Sequence, residues 1–226
     1  MKLFTKEDFE KYKSKDSLSS LLLENESNID NKLISHRWLK NNIIKRYIFQ
    51  SIYEDILGSK DQKIIDVGGG YSSLTKYFID NHDYKLIDIM SHDSHSFFEK
   101  YSKKIKLNWI NDDWYDYKIE EDYQIVVVND LFPNVDQRLD SFIKKFLPRC
   151  EKLVMSLTFY NNNKFYKVRR LDAEEILFMK AYSGKELFYF LKKHISDLNI
   201  SLFQQDPKDS LFHNGRSVIK ITLINK

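Results

Sequence analysis

The chain has 226 residues, 42% hydrophobic and 15% aromatic, which fits one folded domain and excludes a disordered tail. Its 36 basic and 33 acidic side chains leave a formal charge of only +3, too weak a field by itself to argue for nucleic acid as the partner. One cysteine, Cys150, excludes an internal disulfide and a zinc site built from several cysteines.

The N-terminus becomes charged by Lys6-Glu7-Asp8, before an apolar run can develop. Neither a signal peptide nor a membrane span is expected there, and a reduced, cytoplasmic protein is expected. Thr5 with Asp8 marks a helix start, and Leu18 to Leu23 is a short apolar run. From His36 to Leu57 two rows of apolar residues recur at four-residue spacing: Leu39, Ile43, Tyr47, and Ile44, Ile48, Ile52, Ile56. Together they predict one amphipathic helix, stopped by Gly58-Ser59.

From Lys63 the pattern alternates. Strands are predicted at Lys63–Val67, Tyr84–Ile87, Ile105–Trp109, Gln124–Val128 and Lys152–Thr158. Helices are predicted from Ser72, at Ser94–Lys103, and after Asn134 and Gln137, whose spacing suits a cap for the face formed by Leu139, Phe142, Ile143 and Phe146. Asp172 with Glu175, and Ser183 with Glu186, have the spacing of two further capping boxes, with Gly184 between the apolar runs. Asn199–Gln204 and Ser217–Ile224 alternate and predict an antiparallel pair at a sheet edge. This order predicts a Rossmann-like, doubly wound α/β fold. Its sheet is expected to have seven strands, mainly parallel, with an antiparallel C-terminal strand pair and an N-terminal helical extension.

The most informative stretch is Ile64-Ile65-Asp66-Val67-Gly68-Gly69-Gly70-Tyr71-Ser72-Ser73. Glycines between a strand and a helix let a ligand approach the backbone, and the helix start offers free N–H groups. A nucleotide-type ligand follows. The dinucleotide pattern G-x-G-x-x-G, counted from Gly68, asks for glycine where Ser73 stands. Asp66 lies inside the strand, and a carboxylate there suits a cationic ligand end better than a pyrophosphate.

Asp66-x-Gly68-x-Gly70 resembles motif I of the class I S-adenosylmethionine-dependent methyltransferases, with Ser72 in place of a third glycine. The resemblance extends from about Lys63 to the C-terminus in element order, and its specific part is the glycine loop. It implies S-adenosylmethionine as cofactor, its methionine end held by Gly68, Gly69, Gly70 and Asp66, the acid near the ammonium group. Asp88 ends the next strand about 20 residues on, where a carboxylate accepts both ribose hydroxyls. In Asn111-Asp112-Asp113-Trp114 the resemblance implies an acid for the adenine amino group, and Asp113 is favoured over Asp112. Trp114 and Tyr71 are expected to cover the ligand, ordinary core packing being the other reading of both.

Ligands of open α/β sheets bind at the carboxyl ends of the strands, so the acceptor should meet Asn129-Asp130-Leu131-Phe132-Pro133. Amino-methylating branches of the family carry Asn/Asp-Pro-Pro-aromatic here, and only a leading polar residue and Phe-Pro remain. Asn129 is assigned to the cofactor. Asp130 is the candidate general base, though it could equally cap the following loop, and Tyr160 could line the acceptor site. His36, opening the stretch His36-Arg37-Trp38, is a substrate-side candidate, while His92 and His95 follow the second strand. Arg169 and Arg170, after Lys164 and Lys167, suit a phosphate or carboxylate of the acceptor. No histidine or acidic spacing fits a metal, and none is expected.

Residues 1–60 are thus expected to form a helical extension, a lid or a homodimer contact, and 61–226 the cofactor-binding domain. The expected reaction is methyl transfer to oxygen or nitrogen of a small metabolite such as a sugar, nucleotide-sugar or phosphorylated compound, an anionic one if Arg169 and Arg170 bind it. Two alternatives stay open: a nucleic-acid or protein methyltransferase using Lys103-Lys104-Ile105-Lys106 with the 164–170 stretch, and an inactive nucleotide-binding scaffold. A nicotinamide-dependent oxidoreductase is disfavoured by Ser73 and Asp66.

Overall fold

The structure, a computed structural model, describes residues 1–26, 33–89, 93–170 and 175–225; for Lys164, Val168, Arg169, Arg170, Glu175 and Leu177 it describes the backbone alone. Among the described residues seven strands form one sheet. Their order is β1 (Lys2–Leu3), β9 (Ser217–Ile224), β6 (Cys150–Phe159), β5 (Tyr123–Phe132), β2 (Lys63–Val67), β3 (Asp83–Ile87) and β4 (Asn108–Ile110). The five from β6 to β4 run parallel, and β9 is antiparallel to both β6 and β1.

Successive side chains of a strand point to opposite faces, and the central strands are apolar on both. Ile64, Leu86, Ile125, Val127 and Val154 bury against one helical layer, whereas Ile65, Ile87, Val126, Val128 and Met155 bury against the other. The first layer holds α1 (Lys6–Lys13), α2 (Ser17–Glu24), α3 (Ile34–Asn41), α4 (Ile43–Ile52), α5 (Glu54–Leu57), α6 (Ser73–Asn81) and α7 (His95–Ile105). The second holds α8 (Leu139–Phe146) and α9 (Gly184–Leu191). This is the expected Rossmann-like α/β architecture, a mainly parallel seven-stranded sheet covered on both faces. The N-terminal segment is tied into it at several points. Phe4 donates its N–H to the Val218 carbonyl at 3.0 Å and is buried beside Tyr47, and buried Lys220 on β9 donates to the Ser51 carbonyl and to Glu54, both at 2.6 Å.

Several elements differ from the sequence reading. The long helix breaks at Asn42, which leaves helical geometry and caps α4 by accepting from the Lys45 N–H at 3.1 Å, and again at Tyr53. The strand expected at Ile105 begins at Asn108, because α7 runs on to Ile105 and ends at left-handed Lys106. Asn134 and Gln137 do not cap α8: Gln137 donates to the Pro133 carbonyl and Asn134 accepts from Tyr166.

The helix expected at Glu175 is a strand. Lys164–Arg170 (β7) pairs antiparallel with Glu175–Ala181 (β8) as a separate two-stranded ribbon, while Asp172 lies outside the described residues. A short apolar run does not by itself distinguish helix from strand; an alternating partner segment decides it. Ser183 and Glu186 do form the expected capping box of α9. The C-terminal pair is corrected as well. Ile200–Phe203 is a 3-10 turn whose Phe203 packs on Phe159 and Phe188, and β9 takes β1 as its outer partner instead.

Because Phe4 holds the N-terminal strand in the core, Phe4→Ala should destabilise the protein by about 3–5 kcal/mol. A urea unfolding curve measures this, and a loss below about 1 kcal/mol would mean that the segment is dispensable for folding.

Candidate functional site

Between β2 and β5 the strand order reverses direction along the sheet, and the crevice at their carboxyl ends is where such sheets bind ligands. A cavity of about 630 Å³ opens there, a size that suits a nucleotide-sized ligand with part of a second molecule. Its lining includes Gly68, Gly69, Gly70, Asp88, Asp113, Trp114, Asn129 and Asp130.

The turn after β2 is shaped by what lies on either side of it. A Cβ on Gly69 would overlap the Asp66 carboxylate, and one on Gly70, where φ is +67°, would lie 2.7 Å from Ser35 Oγ. Asp66 is therefore directly behind the turn, buried. Its Oδ2 accepts from the Tyr53 and Tyr84 hydroxyls at 2.8 and 2.7 Å, whereas Oδ1 has no partner among the described residues. Burial pushes this carboxyl up to about 7, against the lowering effect of the two phenols, and the charge of Asp88 adds to the rise. Tyr84 is one strand over and two residues before Leu86, the register partner of Asp66, so the pleat brings both to one face. Asp88, the residue after β3, accepts the Gly70 N–H on Oδ2 at 2.9 Å, fixing the turn from the cavity side.

Beyond β4 the two acids differ. Asp113 accepts both from Arg138, at 2.7 and 3.0 Å, and from the Tyr115 N–H. Asp112 lines the cavity and, among the described residues, accepts only the Asp113 N–H, on Oδ1. Trp114 donates to Asp136 at 2.8 Å and packs against Phe132 and Phe142, with the Arg138 guanidinium over its ring at 4.8 Å.

On β5 the register slips between Val128 and Phe132. Asp130 sits in this irregularity with a left-handed φ of +58°, a conformation rare outside glycine. Ser156 of β6 holds it there: its Oγ accepts the Asp130 N–H at 2.8 Å and donates to Asn129 Oδ1 at 2.7 Å. The Asp130 carboxylate lies between Arg216, at 3.4 Å, and Lys45, at 3.8 Å.

Four of the residues assigned to the site from the sequence, Asp66, Tyr71, His36 and Tyr160, do not line the cavity, Asp66 because it is buried behind the glycine turn. Tyr71 is buried against Phe98 and Tyr101. His36 is fully buried, its pKa lowered by that burial, and its Nδ1 accepts the Ser73 N–H at 3.4 Å at the start of α6. Tyr160 lies behind the wall, its hydroxyl 3.4 Å from that of Tyr166, which in turn donates to Asn134 on the cavity. Arg169 and Arg170 belong to β7 by their backbone; their side chains, and all of His92, lie outside the described residues. His95 stays near β4, within 3.2 Å of the Asn111 side chain. Tyr53, Tyr84, Lys45, Arg138, Ser156 and Arg216 had no motif to mark them, since each reaches the site from a distant part of the chain. Among the described residues no group of histidine, cysteine and acidic side chains could hold a metal ion.

The raised pKa of Asp66 gives a signed expectation. The folded state holds this proton more tightly than an unfolded carboxyl near 3.9, so its contribution to stability is full below about pH 4 and is lost as pH rises to about 7. Relative to Asp66→Asn, the wild type should lose on the order of a few kcal/mol across that window. Denaturant midpoints of both proteins from pH 4 to 8 measure it, and parallel curves would refute the burial argument.

In sequence the chain stands apart: no protein-family model and no curated protein matches it. Its likeness to known structures is one of fold. A candidate S-adenosylmethionine-dependent methyltransferase from Listeria monocytogenes aligns with a TM-score of 0.51 at 15% identity, over 77% of this chain and 96% of its own. The 1,6-didemethyltoxoflavin-N1-methyltransferase of Burkholderia thailandensis, with bound 1,6-didemethyltoxoflavin and S-adenosylhomocysteine, gives 0.48 at 12%, over 78% and 76%. An S-adenosylmethionine-dependent methyltransferase from Clostridium acetobutylicum gives 0.48 at 12%, over 95% and 99%. The chain has the Rossmann-like fold of the class I S-adenosylmethionine-dependent methyltransferases.

Proposed function

We propose that the protein is an S-adenosylmethionine-dependent methyltransferase acting on oxygen or nitrogen of a small-molecule acceptor. One observation carries the reading: a glycine turn backed by a buried carboxylate, the acid just after β3 and the acids after β4 all meet around one cavity, and the rest of that cavity is free for a second molecule. Bound there, the cofactor supplies a methyl group made electrophilic by its sulfonium.

The chain's own residues divide the remaining work. Asp66, buried behind Gly69 and off the cavity lining, acts on the methionine end through the glycine turn that it supports. Asp88 accepts the ribose hydroxyls while keeping the Gly70 N–H in place. Asp112 and Asp113 face the adenine edge; Asp113 is the more committed of the two, through Arg138, so Asp112 is the better supplied acceptor. Trp114 closes that end of the cavity.

Methyl transfer depends chiefly on alignment of nucleophile and methyl group, which a rigid cavity supplies. Asp130, pinned by Ser156 at the β5 end, is placed to accept the proton that an oxygen or nitrogen nucleophile releases. The segment 1–60 covers the acceptor side: Trp38 and Leu39 of α3, and Lys45, Ile48 and Phe49 of α4, form its wall. We assign 61–226 to the cofactor-binding domain.

Calorimetric titration with S-adenosylmethionine and S-adenosylhomocysteine, with NADH as control, tests the reading. Micromolar binding of the adenosyl ligands is expected, weakened about 10- to 100-fold in Asp88→Ala because charge-assisted hydrogen bonds to the ribose are lost. Absence of binding by both adenosyl ligands would overturn the proposal.

A further inference from the structure

The acceptor end of the cavity holds more positive charge than the fold itself uses. Arg216, in the turn before β9, lines the cavity with a side chain only 14% exposed, its guanidinium 3.9 Å from the centre of the Phe212 ring. The contact of Nη1 with Asp130 is 3.4 Å, long for a charge-assisted hydrogen bond, which is ordinarily about 2.7–2.9 Å. Nε is buried with no partner among the described residues. A guanidinium presents five N–H donors in a planar fork, and burying it with so few of them used is costly unless something else completes them.

Lys45 approaches from α4 on the helical side. Its ammonium lies 3.8 Å from Asp130 and 4.6 Å from the centre of the Trp38 ring, and it contacts no second carboxylate within ion-pair distance among the described residues. Two cations therefore share one carboxylate at this end. The opposite end, beyond β3 and β4, is acidic through Asp88, Asp112 and Asp113. Because β9 lies on the far side of β5 from β3 and β4, Arg216 is separated from the adenosine-side acids by the width of the central strands, and Lys45 joins it at Asp130.

Resting on the methyltransferase reading of this cavity, we propose that Lys45 and Arg216 are the anion-binding subsite for the methyl acceptor, which therefore carries a carboxylate or a phosphate. Arg216 offers planar guanidinium N–H donors that match the oxygens of either group, and Lys45 adds a point charge from the facing wall. Asp130 holds the two cations in position before the acceptor arrives and, on β5, lies between Arg216 and the glycine turn in strand order. An acceptor gripped by its anionic group at Arg216 thus presents the rest of its body toward Asp130 and the cofactor end. The sequence pointed to Arg169 and Arg170 for this task; the cavity itself offers Lys45 and Arg216.

The test is calorimetric titration of the whole chain at low ionic strength with inorganic phosphate and with benzoate, alongside S-adenosylhomocysteine. Wild type, Arg216→Gln and Lys45→Gln are compared. Saturable binding of at least one anion is expected, weakened 10-fold or more in Arg216→Gln and by a smaller factor in Lys45→Gln, with S-adenosylhomocysteine affinity within about 2-fold of wild type in both. Tighter phosphate marks a phosphorylated acceptor, and tighter benzoate a carboxylic acid. If Arg216→Gln does not fold, the half-exposed Lys45 carries the comparison. Anion binding that is equal in wild type and variants, or absent while S-adenosylhomocysteine binds, overturns the subsite. Arg216-dependent anion binding without S-adenosylhomocysteine binding would keep the subsite and remove the methyltransferase reading instead.

Discussion

A carboxylate buried behind a glycine turn needs hydrogen-bond donors that the turn cannot supply, and the way Asp66 obtains them organises this molecule. Tyr53 reaches it from the end of α4 and Tyr84 from β3, so one side chain joins the helical layer, the sheet and the ligand-facing loop. The cost of burying the group without those phenols would be several kcal/mol. The same carboxylate occupies the space a Cβ at residue 69 would need, so the glycine there answers to packing from below as much as to a ligand above. With Asp88 holding the Gly70 N–H from the other side, the turn is fixed on both faces.

The cavity that this turn floors is electrostatically divided. Acids gather beyond β3 and β4, whereas Lys45 and Arg216 meet at the end of β5. The division follows from topology, since chain segments far apart in sequence end at neighbouring strands. Asp130 sits between the two halves in a left-handed conformation that Ser156 and the register slip of β5 maintain. Irregular backbone of this kind costs stability and persists where the surrounding contacts hold it. Helix α4 serves both halves, with Tyr53 following its last turn to reach Asp66 and Lys45 at its start facing Asp130.

Much of this was legible in the sequence where the determinants are local. The β-branched run ending in three glycines, the alternation of strands and helices, and the Ser183–Glu186 capping box depend on neighbouring residues, and the structure contains each of them. Local reading failed where a segment's state depends on a remote partner. Asp172 and Glu175 have the spacing of a helix cap, yet Glu175–Ala181 pairs as a strand with Lys164–Arg170. Asn199–Gln204 alternates like a strand, but the outer edge of β9 is taken by Lys2 and Leu3, from the other end of the chain.

For the site the line is the same. By itself the sequence determined the fold class, the glycine turn and the acids placed after successive strands, because strand ends and turns are set by nearest neighbours along the chain. Only the tertiary structure decided that Tyr71, His36 and Tyr160 point into packing, and that Tyr53, Tyr84, Ser156, Lys45 and Arg216 surround the acids. Burial and ion pairing are properties of residues brought together from distant positions, and no local pattern encodes which cation will face which carboxylate.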